Sequence, residues 1–190
     1  MSRKRRISST VWLLGVGVLV VAGMALYPSL RERYWLWRLE SGTEDERQTA
    51  ADRLAELKVG EAVPILIRSI PRERRRVDLS RDLFEPAPHW MRAMIQLGEL
   101  SVPKLGEVLG DRDAAPRTYA AFILGEIGPS AMDAVPALLA AVRAAREDLH
   151  YTSGDPEVFF VIVAGLAVSK ISPDAMRENS ELFDFEMILK

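Results

Sequence analysis

The sequence predicts an all-α chain: a short α-solenoid of three to four helix pairs, preceded by a single transmembrane helix. Three observations support this fold class. They are an uncharged stretch at residues 7–30, a helical phrase present in four copies, and a proline-containing phrase that follows the first three copies. The 190 residues, 48% of them hydrophobic, suffice for one packed domain and an accessory segment.

The N-terminal stretch predicts the membrane helix. Residues 1–10 form a basic head with four Arg or Lys side chains, and no charged residue occurs from Ile7 to Leu30. The strongly apolar part of this stretch is residues 11–27. As a helix that rises about 1.5 Å per residue, it would be roughly 26 Å long, close to the thickness of the hydrocarbon core of a bilayer. Only a helix satisfies every backbone polar group in a single crossing. Residues 11–30 are therefore the predicted span.

The charge distribution predicts the orientation of this span. Basic residues favour the cytoplasmic side, so the head should stay in the cytoplasm. Residues 31–190 carry 21 basic and 27 acidic side chains, a formal charge of −6, and should lie on the non-cytoplasmic side. A signal peptide cleaved after Ala25 is the alternative. The apolar stretch exceeds the usual h-region of about 7 to 15 residues, which favours a retained anchor.

Aromatic residues cluster at the end of the uncharged run, which contains Tyr27, and in a predicted connecting helix at residues 31–42. Tyr27, Tyr34, Trp35 and Trp37 would suit the headgroup layer, because amphipathic rings favour the membrane interface. Alternatively, Trp35 and Trp37 belong to the core of the first soluble helix. The sequence leaves both interpretations open.

A repeated phrase predicts the domain at residues 43–180. The segments 47–57 and 117–127 agree or nearly agree at seven of eleven positions, and 90–100 and 161–171 follow the same frame. Apolar and small residues recur three and four positions apart, which places them on one face of a helix. A repeat of this kind indicates a stack of similar units, each burying its apolar face against its neighbours.

A second phrase completes each of the first three units, at 62–67, 101–106 and 134–139. Each contains a proline at its third position, where the first turn of a helix tolerates the missing N–H. The unit is therefore helix, turn, helix. Helix-capping residues agree with these boundaries. They are the pairs Thr43/Glu46 and Ser130/Asp133, and the triplets Asp155-Pro156-Glu157 and Ser172-Pro173-Asp174.

The segments Ala120 to Ala131 and Ala134 to Leu139 carry a family resemblance. With the other paired phrases they resemble HEAT repeats of the short HEAT-like subtype that is also seen in phycobilisome lyases. The likeness extends from residue 43 to about 175, although Ala55, Lys58, Ser169 and Ser172 replace glycines of the subtype. The resemblance implies a scaffold or binding surface, and it implies no catalytic residue.

An insertion at residues 71–88, between the first two copies, is the predicted contact site. In a stack of repeats, an insertion within one repeat forms a loop on one face of the stack. Its arginines would bind an acidic partner or anionic headgroups, whereas its interleaved acidic residues favour a solvated loop with local ion pairs. The candidate partner-binding residues are Arg72, Arg74, Arg75, Arg76, Arg81 and Phe84.

Composition argues against several classes of site. The chain has no cysteine and only two histidines, His89 and His150, in different repeats, so we expect no metal or cofactor site. No nucleophile or phosphate-binding motif occurs, and we expect no catalysis. A net charge of −2 gives no field that would attract nucleic acid. The tail at 181–190 is expected to cap the last unit, with docking on a partner as the alternative.

Together these features predict a membrane-anchored HEAT-like protein that acts as a protein–protein interaction scaffold for an unidentified protein partner. One alternative is an accessory or ligand-handling role, as in lyase-associated repeat proteins. A concave pocket that gathers His, Arg and aromatic side chains would favour it. A secreted repeat protein is expected if the N-terminal segment is cleaved. The sequence does not specify an oligomeric state.

Overall fold

The computed structural model describes residues 27–71, 87–147 and 156–184. These ranges contain helices and turns and no strand, which confirms the all-α prediction for them. The first helix, α1, covers 27–41. The other helices are α2 (Glu44–Glu56), α3 (Val63–Arg68), α4 (His89–Leu97), α5 (Val102–Val108), α6 (Ala114–Ile127), α7 (Val135–Glu147), α8 (Pro156–Ile171) and α9 (Pro173–Glu178).

The helices after α1 form four consecutive pairs, as the repeated phrases predicted. The first helices of the pairs pack in a row, α2 against α4, α4 against α6, and α6 against α8. The second helices flank this row, and α3 contacts both α4 and α5. Each pair therefore packs on adjacent pairs, which is the arrangement of an α-solenoid.

The small and apolar positions of the repeated phrase form the core of this stack. Their side chains are almost wholly inaccessible to solvent, and they lie on the face that each first helix turns toward its neighbours. Alanine at one position lets the helices approach closely, and leucine or valine four residues later fills the space between them. The two sets are Ala50, Ala93, Ala120 and Ala164, and Leu54, Leu97, Leu124 and Val168.

Helix boundaries follow from the local sequence. The second-phrase prolines lie in the first turns of α3, α5 and α7. The Oγ of Ser172 accepts a hydrogen bond from the backbone N–H of Ala175 at 3.3 Å and so caps α9. Ser130 does not begin a helix as predicted, because the segment Gly128–Ala134 forms a 3-10 turn and α7 begins at Val135. Asp155 lies outside the described residues.

Both ends of the described chain take part in the core. Leu39 of α1 is buried, and Trp35 and Leu36 pack against the core from the same helix. At the other end Phe183 is buried against α8, where a Cβ on Gly165 would lie 2.8 Å from its ring. The predicted connecting helix and the start of the predicted tail therefore share the core of the repeats. The basic head, most of the predicted span and residues 185–190 lie outside the described residues.

One described stretch, Ala114–Glu147 with 34 residues, is long and apolar enough to cross a membrane on length and composition alone. It consists of α6 and α7 with the 3-10 turn between them, and Gly128 interrupts the α-helix with a φ of +71°. Because α6 packs against α4, α5 and α8, its apolar character is explained by its central place in the core.

Candidate functional site

Helix α1 has two apolar faces, and the core covers one of them. Trp35, Leu36 and Leu39 contact the core. The opposite face carries Tyr27, Leu30, Tyr34 and Trp37, which are 64%, 60%, 45% and 59% exposed. We call these four residues the α1 stripe. Their spacing of three, four and three positions aligns them along one side of a helix. Neighbouring large apolar side chains exposed together are typical of an interaction surface.

Arg38 holds two rings of the α1 stripe in place. Its Nε donates a hydrogen bond to the Oη of Tyr34 at 3.0 Å. Its guanidinium carbon lies 5.5 Å from the Tyr34 ring centroid and 5.8 Å from that of Trp37, within the range of cation–π attraction. The hydrogen bond with Tyr34 raises the pKa of Arg38, and the nearby carboxylate of Glu46 acts in the same direction. The rings and the guanidinium thus form one ordered cluster.

The cluster is joined to α2 through Glu46. Glu46 forms an ion pair with Arg38, and its Oε2 accepts a hydrogen bond from the backbone N–H of Thr43 at 2.9 Å. The Thr43 N–H lowers the pKa of Glu46, and Arg38 lowers it further. Between the helices, a Cβ on Gly42 would lie 2.5 Å from the carbonyl oxygen of Arg38, so this corner requires glycine.

Two further arginines flank the α1 stripe. Arg31 and Arg33 are exposed, and neither forms an ion pair with another residue of the described ranges. At 3.6 residues per turn, Arg31 lies on the same edge of the stripe as Arg38, and Arg33 lies on the other edge. The exposed face of α1 therefore combines an apolar centre with cationic edges.

A hollow of about 420 Å³ lies where α4 begins beside α2. The Nδ1 of His89 is 3.2 Å from the Oε1 of Glu44, and Arg92 lies 3.7 Å from Asp52. Trp90 is buried and packs edge-on against Tyr119, with ring centroids 5.4 Å apart. The residues that line the hollow are Glu44, Gln48, Ala87, Pro88, His89, Trp90 and Arg92. This arrangement offers hydrogen bonds and charge to a small polar group.

The described residues contain no group of three or more His, Asp or Glu side chains that could hold a metal ion. Glu99 and Glu126 repeat at equivalent positions and are both exposed. Glu126 forms an ion pair with Lys170 at 2.6 Å. His89 is the first residue of α4 and follows Pro88.

The predicted partner-binding residues, Arg72, Arg74, Arg75, Arg76, Arg81 and Phe84, lie outside the described residues, as does His150. The sequence identified three aromatic members of the α1 stripe, but it also grouped Trp35 with them, and Trp35 packs against the core. Leu30 was missed. The spacing of residues 27, 30, 34 and 37 is the signal that would have separated the two faces.

The comparisons with known proteins bear on one part of the chain. No curated protein and no solved structure matches the chain at a significant level. Residues 116–144 match the family model of the PBS lyase HEAT-like repeat. They comprise nearly all of α6, the 3-10 turn and most of α7. The prediction of HEAT-like repeats is therefore confirmed at the third helix pair, which is similar to the PBS lyase HEAT-like repeat.

Proposed function

We propose that this protein is a membrane-anchored HEAT-like scaffold that presents its helix pairs to a partner protein. The observation that carries the proposal is the continuity of α1. Its first described residues, 27–30, belong to the uncharged run, and Tyr27 and Leu30 are exposed to solvent. Nine residues after Leu30, Leu39 lies in the repeat core. A single helix thus connects the predicted span to the repeats.

The scaffold part of the proposal rests on the stacked pairs. A solenoid offers an extended surface whose residues come from several repeats, and such surfaces commonly bind other proteins. The match of residues 116–144 to a HEAT-like repeat supports the same role. In this proposal the basic head remains in the cytoplasm, the repeats lie on the other side of the membrane, and the protein performs no catalysis.

Alkaline carbonate extraction of membranes that contain the full-length protein tests the anchor. We expect the chain to stay in the membrane pellet. Replacing Leu19 and Val20 together by Arg should release it, because a charge at the centre of a membrane helix costs about 2.5–3.5 kcal/mol. The matched control, Thr49→Arg on the exposed surface of α2, should leave retention unchanged.

Two other results would contradict the anchor. Release of the unmodified chain into the soluble fraction would do so. A mature protein beginning after Ala25, found by mass spectrometry, would establish the secreted alternative instead. Protease accessibility in right-side-out vesicles tests orientation, and full protection of the repeats would show that the proposed orientation is wrong.

Crosslinking followed by affinity purification tests the scaffold role. We expect a protein partner whose recovery falls when Arg74, Arg75 and Arg76 are changed to Glu. An equal charge reversal at the exposed residues Arg53, Arg143 and Arg177 serves as the control. If every recovered protein is unchanged by the first set, the insertion is not the contact site.

The hollow at the start of α4 favours a second candidate function, ligand handling. It brings His89, Arg92 and Trp90 to one concave surface, which is the combination expected for such a role. A thermal-shift screen with small carboxylates would test it. Stabilisation that disappears in His89→Ala and persists in Arg53→Ala would support ligand binding. Absence of any stabilisation in the unmodified protein would contradict it.

A further inference from the structure

We propose that α1 lies along the membrane surface with the α1 stripe in the headgroup layer and with Arg31 and Arg33 binding lipid phosphates. This inference rests on the proposed membrane anchor and adds the surface that meets the bilayer. Four large side chains, Tyr27, Leu30, Tyr34 and Trp37, are exposed together on one helix face, which is typical of a surface that a partner covers. The residues around the α1 stripe indicate that this partner is the phospholipid interface.

The length of the stripe distinguishes a flat helix from an upright one. From residue 27 to residue 37 the helix rises about 15 Å. The headgroup layer on each side of a bilayer is only about 5–8 Å thick. An upright α1 would therefore carry Trp37 beyond the headgroups, whereas a helix lying in the plane holds all four side chains at one depth.

The one-sided distribution of apolar residues agrees with the flat arrangement. Trp35, Leu36 and Leu39 attach the opposite face of α1 to the repeat core. The stripe and the core contact thus place the bilayer and the repeats on opposite sides of α1.

Pro28 supplies a point where the chain can change direction. It lies in the first described turn of α1. Proline has no backbone N–H, and within a longer helix its ring clashes with the carbonyl four residues earlier and kinks the helix. Proline is also typical of the first turn of a helix. The sequence therefore favours a bend where the predicted span meets α1.

The chemistry of the stripe matches a phospholipid interface. Tyr and Trp rings concentrate at the headgroup level because one edge is polar and the ring body is apolar. Arg31 and Arg33, on the two edges of the stripe, form no ion pair within the described ranges, and guanidinium groups bind phosphate oxygens in a bidentate manner. Glu32, the one acidic residue among 27–37, is half-buried and by helical periodicity lies on the core side.

Depth measurements with spin labels test the proposal, and the absence of native cysteine makes single-site labelling direct. The full-length protein is reconstituted into vesicles of phosphatidylcholine and phosphatidylglycerol. Labels are placed by Leu30→Cys, Tyr34→Cys and Trp37→Cys on the stripe, by Glu40→Cys as the exposed control on α1, and by Val20→Cys in the predicted span. Oxygen and nickel accessibilities then report the depth of each label.

We expect equal depths within the headgroup layer at positions 30, 34 and 37, with the position 40 label in water. A depth that decreases steadily from 30 to 37, by about 10 Å over seven residues, would show an upright helix and overturn the inference. If the labels on the α1 stripe lie in water while the position 20 label lies in hydrocarbon, the inference about α1 is overturned, but the proposed membrane anchor is supported. If the position 20 label is itself in water, the anchor has failed.

A charge reversal tests the role of the arginines. With Arg31→Glu and Arg33→Glu, the Tyr34→Cys label should move toward water, because carboxylates repel lipid phosphates. The matched control, Arg53→Glu with Arg177→Glu, should leave the label depth unchanged. An unchanged depth in the first variant would show that the arginines do not bind lipid, and that part of the inference would be withdrawn.

Discussion

The contact between α6 and α8 differs in kind from the contact between α2 and α4, although both join the first helices of neighbouring repeats. At α6 and α8 the helices approach so closely that a Cβ on Gly125 would lie 2.9 Å from the Cα of Ala167. Arg117, which is only 7% exposed, pairs with Glu157 and lies 4.8 Å above the Phe160 ring. The Arg117–Glu157 pair is thus largely removed from water together with the apolar groups, whereas a second pair between the same helices, Glu126 with Lys170, is exposed.

The contact between α2 and α4 has polar links at its surface. The Nζ of Lys58 donates a hydrogen bond to the carbonyl of Gln96, and Arg92 and His89 approach acidic residues of α2. Ala55, buried in α2, holds the repeat position that Gly125 holds in α6. From the close approach of α6 and α8 and their buried ion pair, we expect stability to be greater in the last two repeats, while the first repeats carry the candidate surfaces.

The largest expected effect is on the buried ion pair. Arg117→Met would remove the guanidinium that pairs with Glu157, a carboxylate that is 20% exposed, and breaking such a pair costs about 3 kcal/mol. We expect a loss of that size in the free energy of unfolding, measured by denaturation of the full-length protein in detergent. Arg53→Met breaks the exposed pair with Glu56 and should cost about 0–1 kcal/mol. Equal losses in the two variants would show that burial does not strengthen the Arg117–Glu157 pair.

The next effect concerns the close approach of α6 and α8. Gly125→Ala should destabilise the protein by about 1–3 kcal/mol, because the new methyl group meets the backbone of Ala167. Gly106, within α5, has no atom within 4 Å of an added Cβ, so Gly106→Ala should stabilise by about 1 kcal/mol through helix propensity. Unfolding free energies of both variants check this. Stabilisation by both would mean that the helices do not approach so closely.

A smaller effect is expected where α2 ends. Lys58 has a φ of +55°, and in the repeat frame it occupies the position of Gly128, whose φ is +71°. Lys58→Gly and Lys58→Ala both remove the bond to Gln96, but only glycine adopts this conformation without strain. The Gly variant should therefore be more stable than the Ala variant by about 1 kcal/mol in equilibrium unfolding. If the Ala variant is the more stable of the two, the backbone at residue 58 is not strained for a residue with a side chain.

The smallest effect is the pH dependence at Glu46. The pKa of Glu46 is lowered in the folded protein by the Thr43 N–H and by Arg38. Its contribution to stability is therefore present above the unfolded pKa, near 4.5, and is lost as the pH falls through the folded pKa. Glu46→Gln should lower the melting temperature at neutral pH, and the difference from the unmodified protein should vanish in acid. Glu61→Gln, at an exposed residue, should show no such difference.

The sequence predicts the helix pairs well because alanine and leucine recur at helical spacing within each phrase. It predicts single side chains less well, because their surroundings depend on neighbouring helices. Arg47 and Arg117 hold the same repeat position, yet Arg47 is exposed and bonds to the carbonyl of Gly42, while α8 covers Arg117. Trp35 and Trp37 are two residues apart and lie on different faces of α1 for the same reason.

The short corner between α1 and α2 limits where this protein can work. Only Gly42 and Thr43 separate the two helices, and the Arg38 and Glu46 side chains clamp the corner from both sides. Under the proposed membrane anchor, a domain attached in this way would have almost no tether length with which to search the space around the anchor. A large partner would then have to come within a few nanometres of the lipid, so proteins that are themselves membrane-bound, or that dock onto membranes, are the ones it would meet most often.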